Sequence, residues 1–241
     1  MANLDIIIGP MFAGKSCELI RRIRLLKVLK KEYIVIKPKI DNRYDNLYDS
    51  SMIISHNFDK EHCIVLNHMN EIYNHNLYGI DTIFIDEGQF FDDLVEVVKN
   101  LVEVEGKNVV VTGLDGDSNR NKFGHILDLI PYSNTCTKIN AACIMCLDGT
   151  HAPFSYRMKK TNQSQILIGA GDSYMSLCRK HYLESTDLES KDLEMEGLWV
   201  GFLIYLVPLI TYIFLLFPIL TSLLLSFVGE YIYYYNLQNK L

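Results

Sequence analysis

The chain has 241 residues, 22% of them charged, and a formal net charge of -6. That length suits one medium domain with additions, and the mildly acidic balance gives no support for a nucleic-acid partner. Six cysteines, two of them in a Cys-x-x-Cys pair, and an opening without a secretory signal argue against a disulfide framework. A reducing cytosol and a metal site fit that usage better.

Leu4–Ile8 is an apolar run that predicts a buried strand. It is followed by Gly9-Pro10-Met11-Phe12-Ala13-Gly14-Lys15-Ser16, which matches the P-loop pattern G-x-x-x-x-G-K-[ST]. A helical pattern follows over Lys15–Lys31, with Leu19, Ile20, Ile23 and Leu26 on one face. Strand, glycine-rich loop and helix together are what the motif requires. Backbone N–H groups of the loop then face phosphate oxygens, aided by the positive end of the helix. Lys15 is expected on the β- and γ-phosphates of a nucleotide and Ser16 on magnesium. The competing reading is a glycine-rich turn with no ligand.

Tyr33–Lys37 predicts a second strand, closed by Pro38. Residues 39–62 are polar and without clear period, and predict a loop-rich region with a short strand near Met52–Ser55. Asp81–Ile85 is a third apolar strand, and it ends in Asp86-Glu87. In a P-loop protein this is the place of the Walker-B aspartate, so Asp86 is expected to reach magnesium. Glu87 stands next to it at the carboxyl edge of the sheet, where a carboxylate accepts a proton from an attacking hydroxyl or water. Leu94, Val97, Val98, Leu101 and Val102 mark a helix stopped by Gly106, and Asn108–Thr112 is a fourth strand. Short apolar strands alternating with helices predict an α/β fold, a parallel sheet covered by helices on both faces. The chemistry to this point is phosphoryl transfer from ATP with Mg2+, with no acceptor named.

Cys143-Ile144-Met145-Cys146 and Cys178-Arg179-Lys180-His181 are two x-x-spaced pairs. Their separation suits a tetrahedral structural Zn2+ held by three thiolates and one imidazole. His151 competes as fourth ligand; His181 is favoured because it mirrors the first pair. Cys17, Cys63 and Cys136 read as packing residues. Residues 184–196 form an acidic linker with Lys191 as the one positive charge. Residues 197–229 carry no charge and are interrupted by Pro208 and Pro218. A run this long predicts a transmembrane or membrane-inserted segment that anchors a cytoplasmic catalytic domain, with Trp199 and Tyr231–Tyr235 at its ends. A buried helix pair or an oligomer contact is the alternative.

The P-loop wording, the string Asp86-Glu87-Gly88-Gln89-Phe90-Phe91 and the paired metal ligands together resemble the cellular and poxviral type of thymidine kinase. Asp41-Asn42-Arg43-Tyr44, Gly113-Leu114-Asp115-Gly116, Phe123-Gly124 and Ile168-Gly169-Ala170-Gly171-Asp172-Ser173-Tyr174 extend the resemblance over roughly residues 3–183. The apolar tail is outside it. The resemblance implies a RecA-like P-loop domain, here residues 1–138, and a zinc-ribbon lobe, here 139–183, whose lasso loop closes over the nucleoside. The reaction it implies turns ATP and thymidine into ADP and thymidine 5′-monophosphate, with deoxyuridine as a second substrate. Glu87 would be the base on the 5′-hydroxyl, Arg43 would lie near the phosphates, and Gln89 would belong with the nucleotide-binding residues. Met11, Phe90, Leu114, Ser118, Phe123 and Tyr174 would surround base and sugar. The lasso residues Gln165, Ile166, Leu167, Ile168 and Gly169 would bind the base largely through backbone groups. Plain core roles compete at Leu114 and Phe123, and a surface role at Arg43. A homotetramer and feedback inhibition by thymidine triphosphate are likewise implied.

Three departures from that family pattern stand out. Ser118 occupies a position where relatives usually carry phenylalanine, which removes stacking area worth on the order of 1 kcal/mol. His181 replaces the usual fourth cysteine, which zinc tolerates. The tail, residues 197–229 with the short end 230–241, is an addition to a family whose members are ordinarily soluble. A second reading is therefore a membrane-tethered P-loop nucleotide-binding protein or weak ATPase with a degenerate nucleoside site. A zinc ribbon that reads nucleic acid ranks last, because beyond Arg157, Lys159, Lys160, Arg179 and Lys180 the chain has no clustered basic stripe near it.

Overall fold

A computed structural model describes residues 2–41, 51–54, 59–158, 173–188, 206 and 224–229. Six short stretches make the central sheet: β1 (Leu4–Ile8), β2 (Tyr33–Pro38), β5 (Ile64–Leu66), β6 (Thr82–Ile85), β7 (Asn108–Gly113) and β8 (Thr135–Lys138). Between them β3 (Met52–Ile54) and β4 (Lys60–His62) form a separate antiparallel pair. The sheet order is β5-β2-β6-β7-β1-β8, and every neighbouring pair is parallel. The strand that ends in Asp86 is thus separated from the glycine-rich loop's strand by β7, and all three bring their carboxyl ends to one edge.

Both faces of the sheet are covered, which explains why its central strands read as continuous apolar runs. Alternate residues divide between two cores. Ile6, Ile8, Ile36, Ile83, Ile85, Val109 and Val111 pack with Leu94, Val97, Val98 and Leu101 on one side. Ile7, Val35, Phe84 and Val110 pack with Leu19, Ile20 and Ile23 on the other. Full burial of side chains of this size contributes roughly 1.5–3 kcal/mol each. Helix α1 (Lys15–Val28) supplies the second side, and α2 (Leu94–Lys99), continued by a π-helical turn over Asn100–Val104, supplies the first.

The helix expected to reach Lys31 ends at Val28. Lys30 takes a left-handed conformation (φ 53), its N–H donates to the Lys27 carbonyl, and the Lys31 N–H donates to the Leu26 carbonyl at 3.0 Å. This pairing satisfies two terminal carbonyls and turns the chain without the usual glycine. The edge strands β5 and β8 were not anticipated from sequence. One is three residues long, and the other, Thr135-Cys136-Thr137-Lys138, is exposed throughout.

The first turn of α1 also carries a pH-dependent element. The Arg21 guanidinium, against the opposing effect of burial and with help from Arg22, holds the Glu18 carboxyl down to about 2. A folded-state value below the unfolded carboxylate range, about 4.3, adds stability above that range and loses it as pH falls toward the folded value. Glu18→Gln should therefore lower the thermal midpoint at pH 6, with the gap to the parent protein closing as the pH is taken from about 5 to 2. A gap that stays constant over that range would show that Glu18 does not act through its charge.

A third cluster lies outside the sheet. β9 (Ala141–Ala142) pairs with β10 (His151–Ala152), and β11 (Phe154–Arg157) pairs with β12 (Tyr174–Leu177), both antiparallel. Ala141, Cys143, Ala152, Tyr156, Leu177, Cys178 and Tyr182 form its buried core, and Phe12 and Ala13 of the glycine-rich loop pack against it. The chain divides into two compact units, residues 1–183 and 184–241. Within the second, residues 184–188 and 224–229 are helical. No helix among the described residues is long and apolar enough to cross a membrane. Apart from residues 206 and 224–229, the segment 197–229 lies outside the described residues.

Candidate active site and metal centre

The turn from β1 into α1 is built on unusual backbone. Gly14 is the helix N-cap in a left-handed conformation (φ 84), and Phe12 is left-handed as well (φ 66). Glycine at this N-cap offers no side-chain acceptor, so the first N–H groups of α1 face the loop. At Gly9 a β-carbon would lie 2.2 Å from the Ile139 carbonyl oxygen, so a larger residue does not fit. Lys15 is buried, and its Nζ donates to the Pro10 carbonyl at 2.8 Å, curling the side chain back over the loop.

Asp86 sits directly beyond β6 and is 3% exposed. Its Oδ2 accepts from Ser16 Oγ at 3.0 Å, and its Oδ1 accepts from Thr112 Oγ1 at 2.5 Å and from the Glu87 N–H at 3.1 Å. Three donors from three elements fix this carboxylate against the start of α1. Ser16 and Asp86, the pair expected at magnesium, are thus already in contact.

Glu87 follows in a left-handed conformation (φ 50, ψ 44). Such a backbone costs a non-glycine residue on the order of 1 kcal/mol and persists where surroundings enforce it. Here the enforcement is visible. Glu87 is buried, and its Oε2 accepts from Gln89 Nε2 at 2.6 Å. Gln89 Oε1 in turn accepts from the Leu114 N–H at 3.0 Å. A backbone N–H can only donate, so this contact sets the amide's orientation and obliges its NH2 to face Glu87. Two glycines make room for Gln89, one at its side-chain amide and one at its main chain. A β-carbon on Gly113 would lie 2.3 Å from Gln89 Oε1, and one on left-handed Gly124 would lie 2.0 Å from the Gln89 carbonyl oxygen. Gln89, expected among nucleotide-binding residues, is in this structure a buried strut between Glu87 and Leu114.

Aromatic and apolar groups adjoin these polar ones. Phe90 and Phe123 meet edge to face with ring centroids 5.5 Å apart. The Met11 N–H donates to Ser155 Oγ at 2.9 Å, which ties the glycine-rich loop to β11. The Ser118 carbonyl accepts from the Tyr182 hydroxyl at 2.7 Å.

The metal-ligand pairs converge. Ligand atoms of Cys143, Cys146, Cys178 and His181 all lie within 4.8 Å of one another. His181 Nδ1 is 3.5, 3.3 and 3.4 Å from the sulfurs of Cys143, Cys146 and Cys178, and the Cys146 and Cys178 sulfurs are 3.8 Å apart. A tetrahedron with ordinary zinc–sulfur and zinc–nitrogen bonds has edges of roughly 3.8 Å between sulfurs and 3.6 Å between sulfur and nitrogen. The donor set therefore fits zinc. Burial pushes the Cys143 thiol up, but the Cys178 N–H, the His181 ring and the N–H groups of Met145 and Cys146 outweigh it and bring it down to about 6. Burial and the adjoining Cys143 sulfur push Cys146 up to about 11. His151, the competing ligand, is exposed and faces Asn140 at 3.4 Å.

A family model for thymidine kinase matches residues 2–182. The chain belongs to the thymidine kinase family. It is 40% identical over 187 residues to a thymidine kinase of Oryza sativa subsp. japonica, covering 76% of this chain and 66% of that protein. It is 36% identical over 183 residues to thymidine kinase 1 of Dictyostelium discoideum, covering 75% of this chain and 77% of that protein. The thymidine kinase of vaccinia virus (strain Western Reserve) is 37% identical over 183 residues, 76% of this chain and 98% of that protein. In each case about a quarter of this chain is unmatched, and the family match ends before the acidic linker.

Within this thymidine kinase family member, the structure brings Ser16, Asp86, Glu87, Gln89 and Leu114 into one connected network, and places Phe90 against Phe123. Tyr174 is buried on β12, paired with Arg157 of β11. Arg43 and the lasso residues Gln165, Ile166, Leu167, Ile168 and Gly169 lie outside the described residues. Thr112, Ser155 and Tyr182 were not singled out from sequence. Thr112 alone left a signal there, a hydroxyl at the end of an otherwise apolar strand.

Proposed function

We propose that this chain transfers the γ-phosphoryl group of ATP to the 5′-hydroxyl of thymidine. The observation that carries the reading is the unbroken chain of hydrogen bonds Ser16–Asp86–Glu87–Gln89–Leu114. It links the residues suited to a nucleotide's metal to a buried carboxylate, and that carboxylate to the wall suited to a nucleoside. Loop N–H groups from Gly9 to Ser16 and the start of α1 would hold the phosphates. Lys15 would exchange the Pro10 carbonyl for phosphate oxygens. Ser16 and Asp86 would hold Mg2+, which when bound offsets charge on the β- and γ-phosphates. Glu87 accepts the proton of the 5′-hydroxyl as its oxygen attacks the γ-phosphorus. The bond from that phosphorus to the β–γ bridging oxygen breaks, and ADP leaves. Arg43 is assigned to the same phosphates, and Met11, Phe90, Leu114, Phe123 and Tyr174, with residues 165–169, to the nucleoside.

The kinase reading is preferred to a tethered ATPase because residues assigned here to the nucleoside are packed together and tied to Glu87. Phe90 and Phe123 are in contact, and Gln89 ties Leu114 to Glu87. The test is magnesium-dependent ADP release with and without thymidine, alongside separation of the nucleoside products. Release that requires thymidine and matches thymidine 5′-monophosphate mole for mole is expected. Release indifferent to thymidine, with no monophosphate formed, would replace the proposal with the ATPase.

A further inference from the structure

Tyr182 follows His181 in the chain, is 3% exposed and packs with Cys143 and Cys178, and its side chain also reaches beyond that cluster. Its hydroxyl donates to the Ser118 carbonyl at 2.7 Å. Its ring lies under the Arg120 guanidinium at 4.7 Å and meets Phe154 and Tyr156 of β11 at centroid distances of 5.2 and 6.0 Å. Arg120 also covers Phe154 at 5.7 Å.

The segment held in this way is a small closed hairpin. Gly116 and Lys122 bridge across its base. Asp117 Oδ1 accepts from the N–H groups of Asn119 and Asn121 at 2.9 and 2.8 Å, and Arg120 is left-handed (φ 66). These bonds tie residues 116–122 into one compact turn. Leu114 lies two residues before it, and Phe123 immediately follows it. Leu114 is bonded through Gln89 to Glu87. Serine at position 118 places no ring there, and the anchor includes a hydroxyl-to-carbonyl bond and a cation over a ring.

Resting on the kinase reading above, we infer that Tyr182 is a positioning residue for the nucleoside. It fixes the 116–122 hairpin to β11, and so sets Leu114 and Phe123 at the base and sugar. It touches neither substrate nor metal in this role. Its consequence is a coupling, since the same short stretch of chain carries a zinc ligand and the anchor of the nucleoside wall.

Tyr182→Phe removes the hydroxyl and keeps the ring. One hydrogen bond of this kind should appear as a rise of about fivefold in the KM and Kd for thymidine. The turnover number, the KM for ATP and the metal content should stay at parent values. Hydrogen exchange at the Asn119 and Asn121 amides should quicken by a similar factor. Tyr182→Leu, which also removes the ring from Arg120 and Phe154, should add about a further tenfold on thymidine. Tyr73→Phe, which deletes a hydroxyl bonded to Asn100 far from these residues in the chain, is the control and should change none of these values. Unchanged thymidine affinity and unchanged exchange in Tyr182→Phe, with metal still bound, would overturn the inference. Faster exchange in a protein whose parent form ignores thymidine would instead overturn the kinase reading, and with it the nucleoside role of Tyr182.

Discussion

Glu87→Gln should form thymidine 5′-monophosphate at least about a hundredfold more slowly than the parent protein, as expected when a general base is lost. Its affinity for ATP should be unchanged. The substitution suits this site for a structural reason. Gln89 Nε2 donates to Glu87 Oε2, and the amide oxygen of a glutamine at position 87 accepts the same bond. The left-handed backbone at this position is retained, as is the N–H that Glu87 donates to Asp86. What disappears is the capacity to take a proton from the 5′-hydroxyl. A single-turnover measurement with ATP and thymidine separates this chemical loss from binding, because pre-formed complex reports phosphoryl transfer alone. Transfer within about threefold of the parent rate would remove Glu87 from the role, since the smallest effect ordinarily seen for a general base is about a hundredfold. A fall in ATP affinity of the same size as the fall in rate would point to a damaged nucleotide site instead.

How much of this site was legible in the sequence depends on the range of each interaction. The glycine-rich loop and the Asp86-Glu87 pair stand out because each is a local pattern at the end of an apolar strand. The strands stand out because burial on both faces leaves no polar alternation to blur them. The metal ligands were legible as two spaced pairs, and His181 was distinguished from His151 by symmetry of spacing alone. The structure supplies the reason: His181 lies one turn beyond Cys178, near the start of a helix, within 3.4 Å of that sulfur, while His151 is exposed on β10. Other features depend on residues far apart in the chain and leave no local trace. The Ser155 bond to Met11 is of this kind. Gln89 was expected among the nucleotide-binding residues, and its bonds to Glu87 and Leu114 leave no mark in that string. Its amide reaches Leu114, which the sequence pattern does not reveal. Ser118 was read through its missing ring, whereas its carbonyl is the group that the structure engages. The helix end at Val28 left no mark in the sequence because the left-handed residue that follows, Lys30, is a lysine and the usual glycine signal is absent.

Removal of zinc should cost this protein its nucleoside site and much of its stability. Among the described residues the core of that lobe has seven buried side chains, and two of them, Cys143 and Cys178, belong to the cluster that could hold the metal. Such a core cannot offset the ordering of four short strands, whereas a structural zinc site supplies about 10–16 kcal/mol of coupled folding free energy at neutral pH. Cys178→Ser should therefore leave less than a tenth of the parent's metal content and lower the thermal midpoint by about 5 °C or more. The KM for thymidine should rise well beyond the fivefold expected for Tyr182→Phe, because β11, β12 and the Tyr182 anchor loosen together. The glycine-rich loop should feel the change too, through the Met11 bond to Ser155 and the packing of Phe12 and Ala13 on the lobe, so ATP binding should weaken but survive. The pH dependence has a definite sign. Bound zinc requires deprotonated thiols, and Cys146 is pushed up to about 11 in the metal-free arrangement, so metal affinity should fall as the solution is acidified. Elemental analysis of the purified parent, which should give one zinc per chain, and a chelator titration followed by hydrogen exchange across 141–157 and 174–182 make the measurement. A metal-free protein in which those segments stay protected and thymidine turnover is unchanged would end the structural-zinc proposal. In that event the close approach of Cys143, Cys146, Cys178 and His181 would be a packed polar cluster, and the coupling through Tyr182 would begin at the helix and not at the metal.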